Sequence, residues 1–244
     1  MRLALATAAL APLLLWQGRR VRRVTPRLPE AEGPREGSTG HGPPLHLLVL
    51  GDSAAAGVGV ARQDEALTGR LLAELAPQHT LHWRLLAHTG DDLAQTAQRL
   101  PALGVEHFDV AVLSIGVNDV TGRTPPARWV RGYADLLARL RRDHGVRLSV
   151  LTPVPPMDLF PALPQPLRWT MGQGARRLNH ALAALAERTP GCMLLQVPFP
   201  IDPGLMAHDG FHPGARANLL WAQAAAAAIR RYHQASFDSS PATP

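Results

Sequence analysis

"LLVLGDSAAAGVGV", Leu47 to Val60, is an apolar run that halts at Gly51-Asp52-Ser53 and continues in alanines and glycines. Unbroken apolar runs of this kind suit a strand covered on both faces of a sheet. A serine where such a strand ends has two readings. It can cap a following helix by accepting a backbone N–H. It can also be a nucleophile placed where backbone amides reach a substrate. Taken alone, the cap is the commoner use.

Outward from this stretch the pattern alternates. Strand-like runs occur at 45–50, 82–87, 109–115, 147–154 and 193–197. Helix-like stretches separate them at 61–75, 93–100, 126–142 and 167–188, and a last one covers 213–232. Apolar strands alternating with amphipathic helices predict an α/β fold, a three-layer α/β/α sandwich around a mainly parallel five-stranded sheet. In such folds ligands sit beyond the carboxyl ends of the strands.

The chain of 244 residues suits one such domain with extensions. Its single cysteine, Cys192, excludes an internal disulfide framework and a Cys-based metal cluster, and reads as a small apolar residue. All 25 basic residues are arginine, and the net charge is +6. Residues 1–35 hold seven arginines against Glu30 and Glu32, a balance of +5. The remainder, eighteen arginines against seventeen acids, stands at +1, so the body carries no nucleic-acid footprint.

Leu3 to Gly18 is sixteen uncharged residues followed by Arg19-Arg20-Val21-Arg22-Arg23. As a helix it would reach roughly 24 Å, short of the roughly 30 Å hydrocarbon core. Residues 1–23 read as a retained membrane-associated segment, with the arginines favouring the cytoplasmic face; an atypical export signal is the competing reading. Residues 24–44, rich in Pro, Gly, Glu and Arg, read as a linker. The folded domain is expected at 45–233 and a disordered tail at 234–244.

Polar clusters fall at the expected strand ends. They are Gly51-Asp52-Ser53, Gly90 within "HTGDD", Gly116-Val117-Asn118-Asp119, and Asp209-Gly210-Phe211-His212 before the last helix. Together and in this order they resemble the signature blocks of the SGNH hydrolases, the GDSL-type lipase and esterase family. Here "AAAG" follows the serine in place of the commoner leucine-containing continuation. The resemblance spans about 45–232.

The resemblance implies Ser53 as nucleophile, His212 as its base and Asp209 as the carboxylate that orients the imidazole. It implies an oxyanion hole from the backbone N–H groups of Ser53 and Gly90 and the side-chain amide of Asn118. The chemistry asks for these types: a serine hydroxyl needs a base to take its proton, and a tetrahedral intermediate needs preorganised donors. Asp52 and Asp119 read as structural. No cofactor or metal is implied, and the expected substrate is a small-molecule or lipid carboxylic ester. Carbohydrate deacetylase, thioesterase, acyltransferase and a catalytically silent membrane-tethered module are the alternatives. The proline-rich stretch 152–169 divides evenly between a flap gripping an acyl chain, through Met157, Leu159, Phe160 and Trp169, and a plain packed loop.

Overall fold

The computed structural model describes residues 10–197 and 202–238. Residues 1–9, part of the expected N-terminal segment, and 239–244, most of the expected tail, lie outside the described residues.

Among the described residues, six strands form one sheet: β1 (Glu36–Gly40), β2 (Pro44–Gly51), β3 (Thr80–Ala87), β4 (Val110–Ser114), β5 (Leu148–Thr152) and β6 (Cys192–Leu194). Their order is β1-β3-β2-β4-β5-β6; β1 runs antiparallel to β3 and the other pairs are parallel. The chain steps from β2 to β3 on one side, then returns across β2 to β4. The carboxyl ends of β2 and β4 therefore frame the switch point where α/β sheets bind ligands.

Among the described residues, seven α-helices accompany the sheet: α1 (Ala11–Val24), α2 (Leu67–Leu75), α3 (Leu93–Gln98), α4 (Val117–Gly122), α5 (Pro126–His144), α6 (Leu167–Arg188) and α7 (Ala215–Asp238). Along β2, Leu47 and Val49 face one core with Leu71 of α2 and Trp221 and Ile229 of α7. Leu48 and Leu50 face the other, with Tyr133 and Leu136 of α5 and Leu182 of α6. All four strand residues are fully buried, which is why the run reads as continuously apolar. The three-layer sandwich expected from the alternation is present.

The sheet has six strands, not five. The extra one, Glu36–Gly40, lies inside the stretch read as a linker; all five of its residues are exposed, so it carries no apolar alternation to betray it. The same stretch is tied down again where Glu32 N–H donates to Ala61 O at 2.9 Å and Gln63 N–H to Glu32 O at 2.8 Å. The helix expected from residue 61 begins only at Leu67, because the buried Gln63 turns the chain there and donates to Ala31 O and Ala56 O. The last helix runs through Asp238, past the boundary expected at 233.

α1 packs on the domain. Its Leu14 is buried in the core beside α6, and the amide of Gln17 bridges Gln165 O (2.7 Å) and Leu167 N–H (3.1 Å). No helix among the described residues is long and apolar enough to cross a membrane.

Candidate active site

Ser53 stands two residues beyond β2 and opens a run of turns, 53–59, in which Ala56 N–H donates to Asp52 O and Val58 N–H to Ser53 O. It caps no helix. Its hydroxyl lies 3.0 Å from His212 Nε2, and His212 Nδ1 lies 2.6 Å from Asp209 Oδ2. The other Asp209 oxygen accepts the backbone N–H of Phe211 (2.9 Å) and of His212 (3.0 Å). The three-residue spacing thus folds into a compact turn before α7 that serves both side chain and backbone.

The Asp209 side chain is fully buried. Burial works against its ionised form, but the His212 ring, with the His212 and Phe211 backbone N–H groups, outweighs it and holds the carboxyl at about 2. An ionised carboxylate only accepts, so Nδ1 carries the proton and Nε2 presents its lone pair to the serine hydroxyl. His208, one residue before Asp209, is exposed and stands apart from this chain of bonds.

The Gly90 and Asn118 turns are stitched to each other. Asn118 Nδ2 donates to Asp91 O at 2.9 Å, and Leu93 N–H donates to the buried Asp119 Oδ2 at 3.0 Å. Asp92 caps α3 in a reciprocal box with Gln95. Asn118 spends one of its two amide protons on Asp91 and keeps the other. Among the described residues, no acceptor takes the backbone N–H of Ser53 or of Gly90. Gly90 has φ +90°, and a Cβ placed there would meet no protein atom within 4 Å. The turn's left-handed backbone, more than crowding, accounts for glycine at that position.

Asp52 and Asp119 hold loops. Asp52 Oδ1 accepts Ala54 N–H at 3.0 Å. Burial pushes the Asp52 carboxyl up to about 7, with the Ala54 N–H opposing. Burial also raises the Asp119 carboxyl, against the Leu93 N–H.

Beside Ser53 and His212 opens a cavity of about 170 Å³. Pro155, Leu159 and Phe160 wall one side; Met206, Phe211 and Trp221 contribute much of the rest. Of the four apolar residues singled out in the proline-rich stretch, Leu159 and Phe160 line it. Met157 is buried in the core behind, and Trp169 sits partly exposed on α6. Met206 and Trp221 carried no local signal, since one lies in an irregular loop and the other mid-helix. Trp221 reaches the site by donating its Nε1–H to Oγ1 of Thr152, the last residue of β5, at 3.1 Å.

Residues 49–220 match the profile of the GDSL-like Lipase/Acylhydrolase family. Over 242 residues the chain is 31% identical to the GDSL-like esterase Rv1075c of Mycobacterium tuberculosis, covering 89% of this chain and 76% of that protein. Among solved structures, TesA superposes with a TM-score of 0.62 at 23% identity, over 76% of this chain and 98% of TesA. The psychrotrophic esterase EstA from Pseudoalteromonas sp. gives 0.61 at 18% identity, over 78% of this chain and 98% of EstA. At those identities the structural likeness speaks to the fold alone.

Proposed function

The chain belongs to the GDSL-like lipase/acylhydrolase family and is a serine ester hydrolase, and from that premise we propose that it cleaves carboxylic esters bearing an apolar acyl group through an acyl-Ser53 intermediate. The supporting observation is the unbroken run of hydrogen bonds from Ser53 through His212 to Asp209, opening onto an apolar cavity.

Ser53 Oγ attacks the ester carbonyl as His212 Nε2 takes its proton, and Asp209 steadies the imidazolium. The new oxyanion is met by the N–H groups of Ser53 and Gly90 and the free amide proton of Asn118. Collapse breaks the bond to the alkoxy group, which leaves as alcohol with the proton from His212. Water then attacks the acyl carbon, giving its proton to His212. Release of the acid returns that proton to Ser53.

The cavity is smaller than the roughly 300–1,000 Å³ typical of drug-sized ligand sites. It suits one acyl chain, and its apolar walls offer little to the hydroxyls of a sugar, which would lose water without gaining partners. A membrane surface as the source of substrate, such as single-chain lysophospholipid esters, is supported by α1, which exposes Leu13, Leu15 and Trp16 beside its arginines.

A fluorophosphonate probe and a p-nitrophenyl ester series of increasing chain length test the reading. The intact protein is expected to label at Ser53 and turn over short and medium esters, and Ser53→Ala to lose both while keeping its fold. A folded chain that takes no label, or turnover surviving in Ser53→Ala, would overturn it.

A further inference from the structure

The stretch between α1 and β1 precedes every signature block, and it lies outside the residues, 49–220, that match the family. Yet one of its carboxylates reaches the site. Glu30 Oε1 accepts both the backbone N–H and the hydroxyl of Thr89, each at 2.8 Å. Glu30 Oε2 accepts Arg35 Nη1 at 2.8 Å, and Arg35 Nη2 donates to the carbonyl of Ala87. One carboxylate and one guanidinium therefore span the chain from the end of β3 to the residue before Gly90.

Position matters here because Thr89 and Gly90 are exposed and sit in a turn of their own. Downstream, the turn is pinned through Asp91 to Asn118 and through Leu93 to Asp119. Upstream, its side-chain anchors are Glu30 and Arg35. The Gly90 N–H belongs to the peptide that joins it to Thr89, so the backbone torsion at Thr89 sets where that N–H points. Charge-assisted bonds from an ionised carboxylate are stronger than neutral ones and suit this holding role. Glu30 is partly buried, which works against its charge, and the bonds from Thr89 and Arg35 more than offset this and lower its carboxyl.

We propose that Glu30 is a positioning residue for the oxyanion hole: by gripping Thr89 it fixes the peptide that presents the Gly90 N–H. The inference rests on the reading of Gly90 as an oxyanion donor. A donor held in place before the reaction costs no reorganisation in the transition state, whereas a loose one does. Removing a donor outright typically costs on the order of 10²–10³ in turnover, so loosening one should cost less.

The test compares Glu30→Ala, Glu30→Gln and Thr89→Val with the unmodified protein. It reads kcat and KM on p-nitrophenyl butyrate, the affinity of an alkyl boronic acid that mimics the tetrahedral intermediate, and thermal unfolding. Glu30→Ala is expected to lower kcat about ten-fold or more, below the ceiling set by losing a donor, with KM nearly unchanged. Boronate binding should weaken in parallel. Glu30→Gln keeps an acceptor oxygen for Thr89 and should recover most of the loss; Thr89→Val, which retains the backbone bond, should fall between. Should Glu30→Ala fail to fold, the other two variants carry the comparison. Full kcat in folded Glu30→Ala, or a deficit that follows Tm and vanishes on cooling, overturns the proposal. An unmodified protein that neither labels nor turns over would fail the Ser53 reading instead, so the two failures are distinguishable.

Discussion

Asp209 is held ionised by three N–H donors while its side chain is shut off from water, and this has a pH signature. Its folded carboxyl lies at about 2, whereas an unfolded aspartate titrates near 3.9. A depressed folded value means the unfolded chain binds the proton first as pH falls. The stabilisation from Asp209 is complete above about pH 4, declines between about 4 and 2, and is gone below. Acid unfolding of Asp209→Asn should accordingly lose slope across that window relative to the unmodified chain, and an unchanged slope would refute the assignment. The same variant should lose turnover on the order of 10⁴-fold, as replacing a triad carboxylate by its amide does elsewhere. At this scale much was legible. Asp209 and His212 stand three residues apart, and such spacing brings a carboxylate to an imidazole within one turn. Ser53 stands 159 positions from His212, a distance no local rule spans, so only the family resemblance set it beside them in the sequence reading.

Elements set the angles at which those residues meet. Gly116 opens α4 with φ +141°, and a Cβ there would lie 2.6 Å from Val154 Cγ2 and 3.1 Å from the Trp129 ring. Gly116→Ala must therefore strain the backbone or push apart the loops that follow β4 and β5. A cost of about 1–3 kcal/mol is expected in thermal or denaturant unfolding. Because Asn118 sits two residues on, kcat should drop as well. A variant with native stability would show that α4 adapts and that glycine is dispensable there. Elements with their own periodicity, such as β2, β4, α5 and α6, could be read ahead of the structure because burial on fixed faces imprints a repeat. β1 could not, since "EGSTG" buries nothing and exists as a strand only by pairing with β3. The late start of α2 escaped for a related reason: Gln63 turns the chain by bonding to Ala31, a residue that only the fold brings near.

At the scale of the whole molecule, α1 gathers exposed apolar side chains and basic charge on one element. α1 is fastened to the α6 end of the pocket-walling segment by Gln17, and it turns Leu13, Leu15 and Trp16 outward together with Arg19, Arg20, Arg22 and Arg23. Arg20 lies 5.7 Å above the Trp16 ring. Apolar anchors beside arginines that form no ion pair among the described residues suit an anionic lipid surface better than nucleic acid, which has no use for the anchors. The protein should co-sediment with phosphatidylglycerol vesicles at low salt and release at high salt. Replacing the four arginines by glutamine should weaken partitioning about five-fold per charge, with turnover of water-soluble esters untouched. Failure to bind such vesicles would dismiss the surface reading. The amino-acid order alone determined the layers of the sandwich, because alternation is written along the chain, and its four motif blocks named the candidate reactive groups through the family resemblance. Only the tertiary structure decided the geometry in which Ser53 meets His212, which side chains wall the cavity, and that a stretch read as linker braces the Gly90 turn. Those outcomes depend on contacts between residues far apart in the chain, and they exist only once the sheet has closed.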